Sequence, residues 1–551
     1  MEDAPLSLHR RTSPLQIPSL LQNLFKVKEV KERQEPLEEG IQELFSHLDE
    51  NWILKFDPSD SPLPSSPLRI GVVLSGGPAP GGHNVVAGLF DAIGEWHQGS
   101  RLFGFLGGPQ GLIRNQFKEL TRADIDRVRN TGGFDLLGSG RAKIDTDEEI
   151  TTIIRTIEDH FLDGLVLIGG DDTNTDAAFL AEGCRRLGRK TCIIGVPKTI
   201  DGDLQSADIH MSFGFDTACK VYSETIGNVA KDMVSTKKYY FFVKLMGRVA
   251  SHVALECALQ THPNLAFISE EVAARAHSLR DLVVEVADLI EERSRHGKQY
   301  GLILVPEGLI ENIVEVQQLI AELDMLFAPT NKESAAIHAC MTPADRYDMV
   351  SSLLSEGSRS CLKFFPRSMA ETFLLERDPH GNVPISKIQT ERWLAMLVEK
   401  EVQRRGVHSE EAIPFSWQTL FCGYEGRSAY PSSFDCQYSY GLGRVAALLV
   451  ALGLNGYMAG LRGLHKPVLE WEPVAVPLAT LLRFEPREGR MKPVIRRTLV
   501  DIEGPTFQSF AQQRASWRLD DCFVQPGPIQ YWGPDELVNT PCRSISDFLT
   551  S

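Results

Sequence analysis

The sequence predicts an α/β protein with parallel sheets and a mainly helical insertion. Three observations carry that prediction. Five short apolar runs each end in a Gly- or charge-rich turn and lead into a helical stretch: RIGVVLSGG, DGLVLIGGDD, TCIIGVPKTIDGD, KYYFFVKLMGR and YGLILVPEG. That alternation is the pattern of parallel strands covered by helices on both faces. The unusual polar residues all stand at the carboxyl ends of these runs, where open α/β sheets bind their ligands. Residues 313–420 break the pattern with helical runs such as VQQLIAEL and ERWLAMLVEKEVQRR.

In chain order, residues 1–67 read as an N-terminal extension ending in DPSDSPLPSSPLR, whose Pro and Ser density marks an extended approach to the first strand. Residues 68–237 form a first α/β domain and 238–312 the first part of a second. The insertion follows at 313–420, and residues 421–551 return to α/β structure and complete both domains. Val445 to Leu454 is the most apolar segment, and its ten residues suit a core helix rather than a membrane span.

A chain of 551 residues with 42% hydrophobic and 24% charged content is long enough for more than one core. The net charge of −16 argues against nucleic acid or an anionic membrane as partner, since both require a basic surface. The ten cysteines include no C-x-x-C and no zinc-ligand spacing, and with no signal-peptide core at the N-terminus the expected location is the cytoplasm.

SGGPAPGGHN (Ser75 to Asn84) spaces Gly77 and Gly82 like a P-loop, but His83 and Asn84 stand where Lys and Ser/Thr would hold phosphate and Mg²⁺. It reads either as a tight turn or as a phosphate cradle using the amides of Gly76 and Gly77. In GGDDTNTD, Asp171 and Asp172 precede a helix expected to begin near Asn174. A helix N-terminus favours carboxylates, yet capping explains one at most, and a single Asp is a natural protein ligand for Mg²⁺.

PKTIDGD (Pro197 to Asp203) offers Asp201 as a general base for an attacking alcohol and Lys198 for charge on phosphate oxygens. LMGR, PEG and YEGR add Arg248 for an anion, Glu307 for hydroxyls and Arg427 for a bidentate grip on phosphate.

In this order and at these separations, SGGPAPGGHN, GGDDTNTDA, PKTIDGD, KYYFFVKLMGRVASH, PEG and GYEGR resemble the phosphofructokinase family. More narrowly they resemble its long, pyrophosphate-dependent branch, of the type that supplies the catalytic subunit in plants. The similarity runs from about residue 69 to about residue 535 and includes ERDPHGN and PGPIQ. It implies a phosphofructokinase-like fold of two Rossmann-like domains, and Mg²⁺-dependent phosphoryl transfer between pyrophosphate and the 1-hydroxyl of fructose 6-phosphate.

By the resemblance, Asp201 is the proton acceptor, with Thr199 and Ile200 beside it in the substrate contact. Asp171 is the Mg²⁺ ligand, Gly77 a pyrophosphate contact, and Arg141 the arginine that approaches the transferred phosphate. Met246, Gly247, Arg248, Glu307 and Tyr424, Glu425, Gly426 and Arg427 match the fructose 6-phosphate site. Lys238 and Tyr239 match residues that reach the substrate of a neighbouring subunit, which implies a homodimer at least. Asp172 and Lys198 take positions where ATP-using relatives commonly have glycine, so the pair is expected to exclude ATP and favour pyrophosphate.

Overall fold

The computed structural model describes residues 4–548 apart from 61, 64, 145, 328–330, 376–386, 408–412 and 488–489. The ERDPHGN segment (376–382) therefore lies outside the described residues.

Fifteen strands are found among the described residues: β1 (Val27–Arg33), β2 (Ile53–Pro58), β3 (Arg69–Leu74), β4 (Arg101–Phe105), β5 (Phe117–Glu119), β6 (Gly164–Gly169), β7 (Cys192–Pro197), β8 (Tyr240–Leu245), β9 (Leu265–Ala266), β10 (Gly301–Pro306), β11 (Trp417–Cys422), β12 (Tyr457–Arg462), β13 (Glu472–Pro477), β14 (Leu482–Arg487) and β15 (Arg490–Ile495). Nine of them form one sheet in the order β1-β2-β13-β12-β7-β6-β3-β4-β5, four form a second in the order β11-β8-β10-β9, and β14 and β15 make a hairpin.

The centre of the large sheet, from β12 to β4, is parallel. Its strands β3, β6 and β7 are apolar almost throughout because helices cover both faces. The expectation of parallel sheets needs one correction: β1, β2, β13 and β5 pair antiparallel at the two flanks. The smaller sheet is parallel throughout.

The segment expected as an extension supplies two strands to the large sheet and buries Leu21, Leu24 and Val27 in its core. Residues 313–420 carry helices from Val314–Phe327 to Thr390–Gly406, which share a hydrophobic core with the smaller sheet, and β11 begins within this stretch. Val445 to Leu454 falls in and just beyond the helix Ser433–Ala451, which packs against the helix Gly82–Trp96. Their backbones meet at glycine: a Cβ on Gly88 would overlap the Tyr440 carbonyl and one on Gly443 the Val85 carbonyl. No helix among the described residues is long and apolar enough to cross a membrane.

Strand order fixes where a ligand can enter. From β3 the chain moves outward to β4, then returns to build β6 and β7 on the other side. The crevice between the β3 and β6 ends is thus a topological switch point. It holds the two glycine-rich turns.

Candidate functional site

The first wall of the crevice is the turn after β3. Gly76 (φ 77°) and Gly81 (φ 114°) are left-handed, a conformation open to glycine at little cost. The Gly76 amide donates to Gly140 O at 2.9 Å. This corrects the expectation that both glycine amides face a phosphate, because the amide of Gly76 is already engaged. Gly76 instead gives room: a Cβ there would lie 3.1 Å from Lys198 Nζ. Gly77 does the same for Arg427, whose guanidinium occupies the space a Cβ would take.

His83 and Asn84 are wholly buried and structural. Asn84 Nδ2 donates to Asn130 Oδ1 at 2.8 Å, and His83 Nδ1 pairs with Thr131 Oγ1 at 3.1 Å. Burial holds the His83 imidazole down at about 4, so it stays neutral.

The second wall is the turn after β6. The helix there spans Asp171–Arg186, not from Asn174 as expected, because Gly170 takes the N-cap position and places both carboxylates in the first turn. The helix dipole favours them there. Asp171 Oδ2 accepts from Arg497 Nε at 2.6 Å.

The floor comes from the turn after β7. Lys198 is 6% exposed. Burial lowers its pKa to about 8, with the Arg427 and Arg141 charges pushing the same way and those of Asp201 and Asp171 opposing. Burial pushes the Asp201 carboxyl up, against the opposing charges of Arg497, Lys198, Arg248 and Arg427. Four cations thus bear on one carboxylate: Lys198 from the same turn, and Arg248, Arg427 and Arg497 from distant parts of the chain. The Asp201 amide donates to Thr199 Oγ1 at 3.0 Å, and the Ile200 side chain is buried in the core, so Ile200 can offer a ligand only its backbone.

Asp203 is held at about 8 by burial and by the charges of Asp201 and Asp171. Three carboxylates at one crevice suit a hard divalent cation, which takes oxygen ligands and completes its shell with water and phosphate. Among the described residues no three His, Cys, Asp or Glu side chains converge closely enough to hold a metal alone. The donor set therefore fits an ion held in part by its phosphate partner.

The opposite side is built from the smaller sheet. Glu307 is 1% exposed; its Oε2 accepts from the Gly247 amide at 3.0 Å, while Oε1 is buried with no hydrogen-bond partner among the described residues. Burial raises its pKa, which the Gly247 amide counters. A buried carboxylate oxygen left in this state is placed for a ligand hydroxyl. Met246 is buried beside Gly247, and Arg248 bears electrostatically on both Asp201 and Glu307.

YEGR is divided in its uses. Arg427 reaches across to Gly77, and Gly426 packs on the ring of Tyr222, whose hydroxyl donates to Gly423 O at 2.5 Å. Glu425 turns back to accept from the Gly423 amide at 2.9 Å, and Tyr424 is 65% exposed. Arg141 is exposed, yet its charge acts on Lys198 and Arg427.

Lys238 and Tyr239 are not brought to this crevice. They precede β8, whose six residues span about 20 Å before Met246. Arg497 is the functional candidate that sequence reasoning missed. Its only signal was the paired arginine of IRRT, which follows no strand-end glycine.

A family model described as Phosphofructokinase matches residues 69–338. A pyrophosphate–fructose 6-phosphate 1-phosphotransferase of Treponema pallidum is 47% identical over 490 residues, 88% of this chain and 85% of the relative. The chain belongs to the phosphofructokinase family. A protein of the same description from Porphyromonas gingivalis is 43% identical across 99% of both chains. The beta 2 subunit of such an enzyme from Arabidopsis thaliana is 47% identical over 85% of this chain and 80% of its own. Among solved structures, a pyrophosphate-dependent phosphofructokinase from Nitrosospira multiformis superposes with a TM-score of 0.54 over 86% of this chain and 97% of that one. At 15% identity it supports the fold alone.

Proposed function

We propose that the protein moves a phosphoryl group reversibly between pyrophosphate and the 1-hydroxyl of fructose 6-phosphate, giving fructose 1,6-bisphosphate and phosphate. The observation that carries this reading is the convergence of Lys198, Arg248, Arg427 and Arg497 on Asp201 at the switch point of the large sheet. Asp201 accepts the proton as the sugar oxygen bonds to phosphorus and the bridging P–O bond of pyrophosphate breaks. Lys198 and Arg427, lying on the Gly76–Gly77 turn, stabilise charge on the transferred and leaving phosphate oxygens. Arg141 adds to that field.

Glu307 takes a sugar hydroxyl through Oε1, and Met246, Gly247 and Arg248 shape the sugar-phosphate end. Tyr424, Glu425 and Gly426 form the turn that carries Arg427. Asp171 would hold Mg²⁺, which when bound would neutralise phosphate charge. Asp172 repels the α-phosphate of a nucleotide. Lys238 and Tyr239, at the far end of β8, serve the crevice of a second copy in a homodimer. All ten cysteines are free thiols, which suits the reducing cytoplasm.

Two other readings weigh less. An ATP-dependent enzyme conflicts with Asp172 and Lys198, and a non-catalytic regulatory subunit conflicts with the retention of Asp171 and Asp201. Purified protein given Mg²⁺ and fructose 6-phosphate is expected to turn over with pyrophosphate far faster than with ATP. Faster turnover with ATP overturns the proposal.

The alkaline limb of the rate profile tests Lys198 separately. Its charged form exists below its pKa of about 8, so kcat/KM is expected to fall as pH rises through that value. Lys198→Arg should move the fall to higher pH, since guanidinium keeps its proton. A wild-type rate that stays level well above pH 8 removes Lys198 from this role.

A further inference from the structure

The segment Val494 to Val500 crosses the carboxylate cluster as a strap. It leaves β15 and is tied down at each step. The Ile495 amide donates to Thr175 Oγ1 at 2.9 Å, on the helix that begins at Asp171. The Thr498 amide donates to Asp203 O at 2.7 Å, and His252 Nε2 donates to Thr498 O at 2.9 Å. The Val500 amide donates to Glu270 Oε1 at 2.9 Å. The strap therefore joins the Asp171 helix, the turn after β7 and the helices that follow β8. It lies beyond residue 338, where the family model ends.

These ties aim one side chain. Arg497 Nε lies 2.6 Å from Asp171 Oδ2 and 4.0 Å from Asp203 Oδ2. Its side chain is 22% exposed, and those of its two partners 19% and 11%. Carboxylates this close and this enclosed repel one another unless a cation stands between them.

We propose that Arg497 is the resident counter-ion of this cluster: a positioning residue that holds Asp171 and Asp203 until the metal replaces it at Asp171. The proposal deepens the reading above and rests on its placement of the metal at Asp171. Arg497 sets the affinity threshold for the metal, because an ion at Asp171 meets the guanidinium charge and competes with it for Oδ2. It also lets the protein fold with the cluster assembled before substrate arrives.

The experiment uses Mn²⁺ as probe, with no pyrophosphate or sugar present. In Arg497→Met, Mn²⁺ is expected to bind about tenfold more tightly than in the wild type, because the ion no longer competes with a guanidinium for Asp171. Thermal unfolding is expected to shift down in Arg497→Met and to recover most of that loss with Mn²⁺, but not with K⁺ at equal ionic strength. Unchanged or weaker Mn²⁺ binding in the folded variant overturns the proposal, as does the absence of metal-specific recovery.

If Arg497→Met does not fold, Arg497→Lys reads the same quantity. A lysine at 497 lacks the Nε–H that pairs Asp171 Oδ2, so Mn²⁺ should tighten by a smaller factor, and no tightening counts against the role. Asp171→Asn separates the two layers of argument. Mn²⁺ binding that survives it overturns the placement of the metal and the proposal together. Binding lost in Asp171→Asn but unchanged in Arg497→Met overturns the proposal alone.

Discussion

Asp201→Ala is expected to lower kcat with pyrophosphate by about a hundredfold or more while the protein stays folded, the loss typical of a missing general base. Folding should survive because Asp201 lies in a turn, outside every strand pairing, and burial works against its charged form. Removing the carboxylate relieves that cost. The KM for fructose 6-phosphate should change much less than kcat, since Glu307, Arg248 and the strand ends stay in place. Circular dichroism and a melting curve check the fold.

The pH profile sharpens the same test. The base must be ionised, and burial raises its pKa, so the wild-type rate should fall on the acid side as pH drops through that raised value. The residual rate of Asp201→Ala should lack this limb. A folded variant with near-normal turnover takes Asp201 out of the mechanism.

How much of this was legible in the sequence depends on the distance between cause and contact. β3, β6 and β7 announce themselves as short apolar runs because parallel strands are buried on both faces. The turns that follow them carry the candidate residues, so local pattern and site coincide. The Asp171 helix starts three residues before the point the sequence predicts, because its N-cap is a glycine with no side chain to signal it.

Arg497 was invisible for another reason. Its place beside Asp171 comes from a hairpin and strap late in the chain, and no short-range periodicity encodes which carboxylate a distant arginine meets. The same holds for Gly77: its glycine reads as turn chemistry, whereas the structure uses the missing Cβ to admit Arg427. The antiparallel flanks of the large sheet depend on β1, β2 and β13, whose pairings again join remote segments.

The donor-exchange experiment has the other large expected effect. Asp172→Gly combined with Lys198→Gly is expected to cut turnover with pyrophosphate by roughly 10²–10³, the usual cost of one transition-state charge partner, and to make ATP a measurable donor. Asp172 stands in the first turn of the helix at the switch point. A negative charge there would oppose a nucleotide phosphate brought to within about 4 Å by up to about 4 kcal/mol at an effective dielectric of 20.

Asp172→Gly alone should give little ATP activity, because Lys198 Nζ still fills the space beside Gly76. Lys198→Gly alone should lose pyrophosphate turnover without admitting ATP, because the charge of Asp172 remains. Only the pair removes both the repulsion and the obstruction. The ratio of kcat/KM for pyrophosphate to that for ATP should therefore fall more than the product of the two single effects, a coupling that a double-mutant cycle measures directly. Additive effects, or a double variant that binds no ATP in equilibrium dialysis, would mean that donor choice is set elsewhere in the crevice.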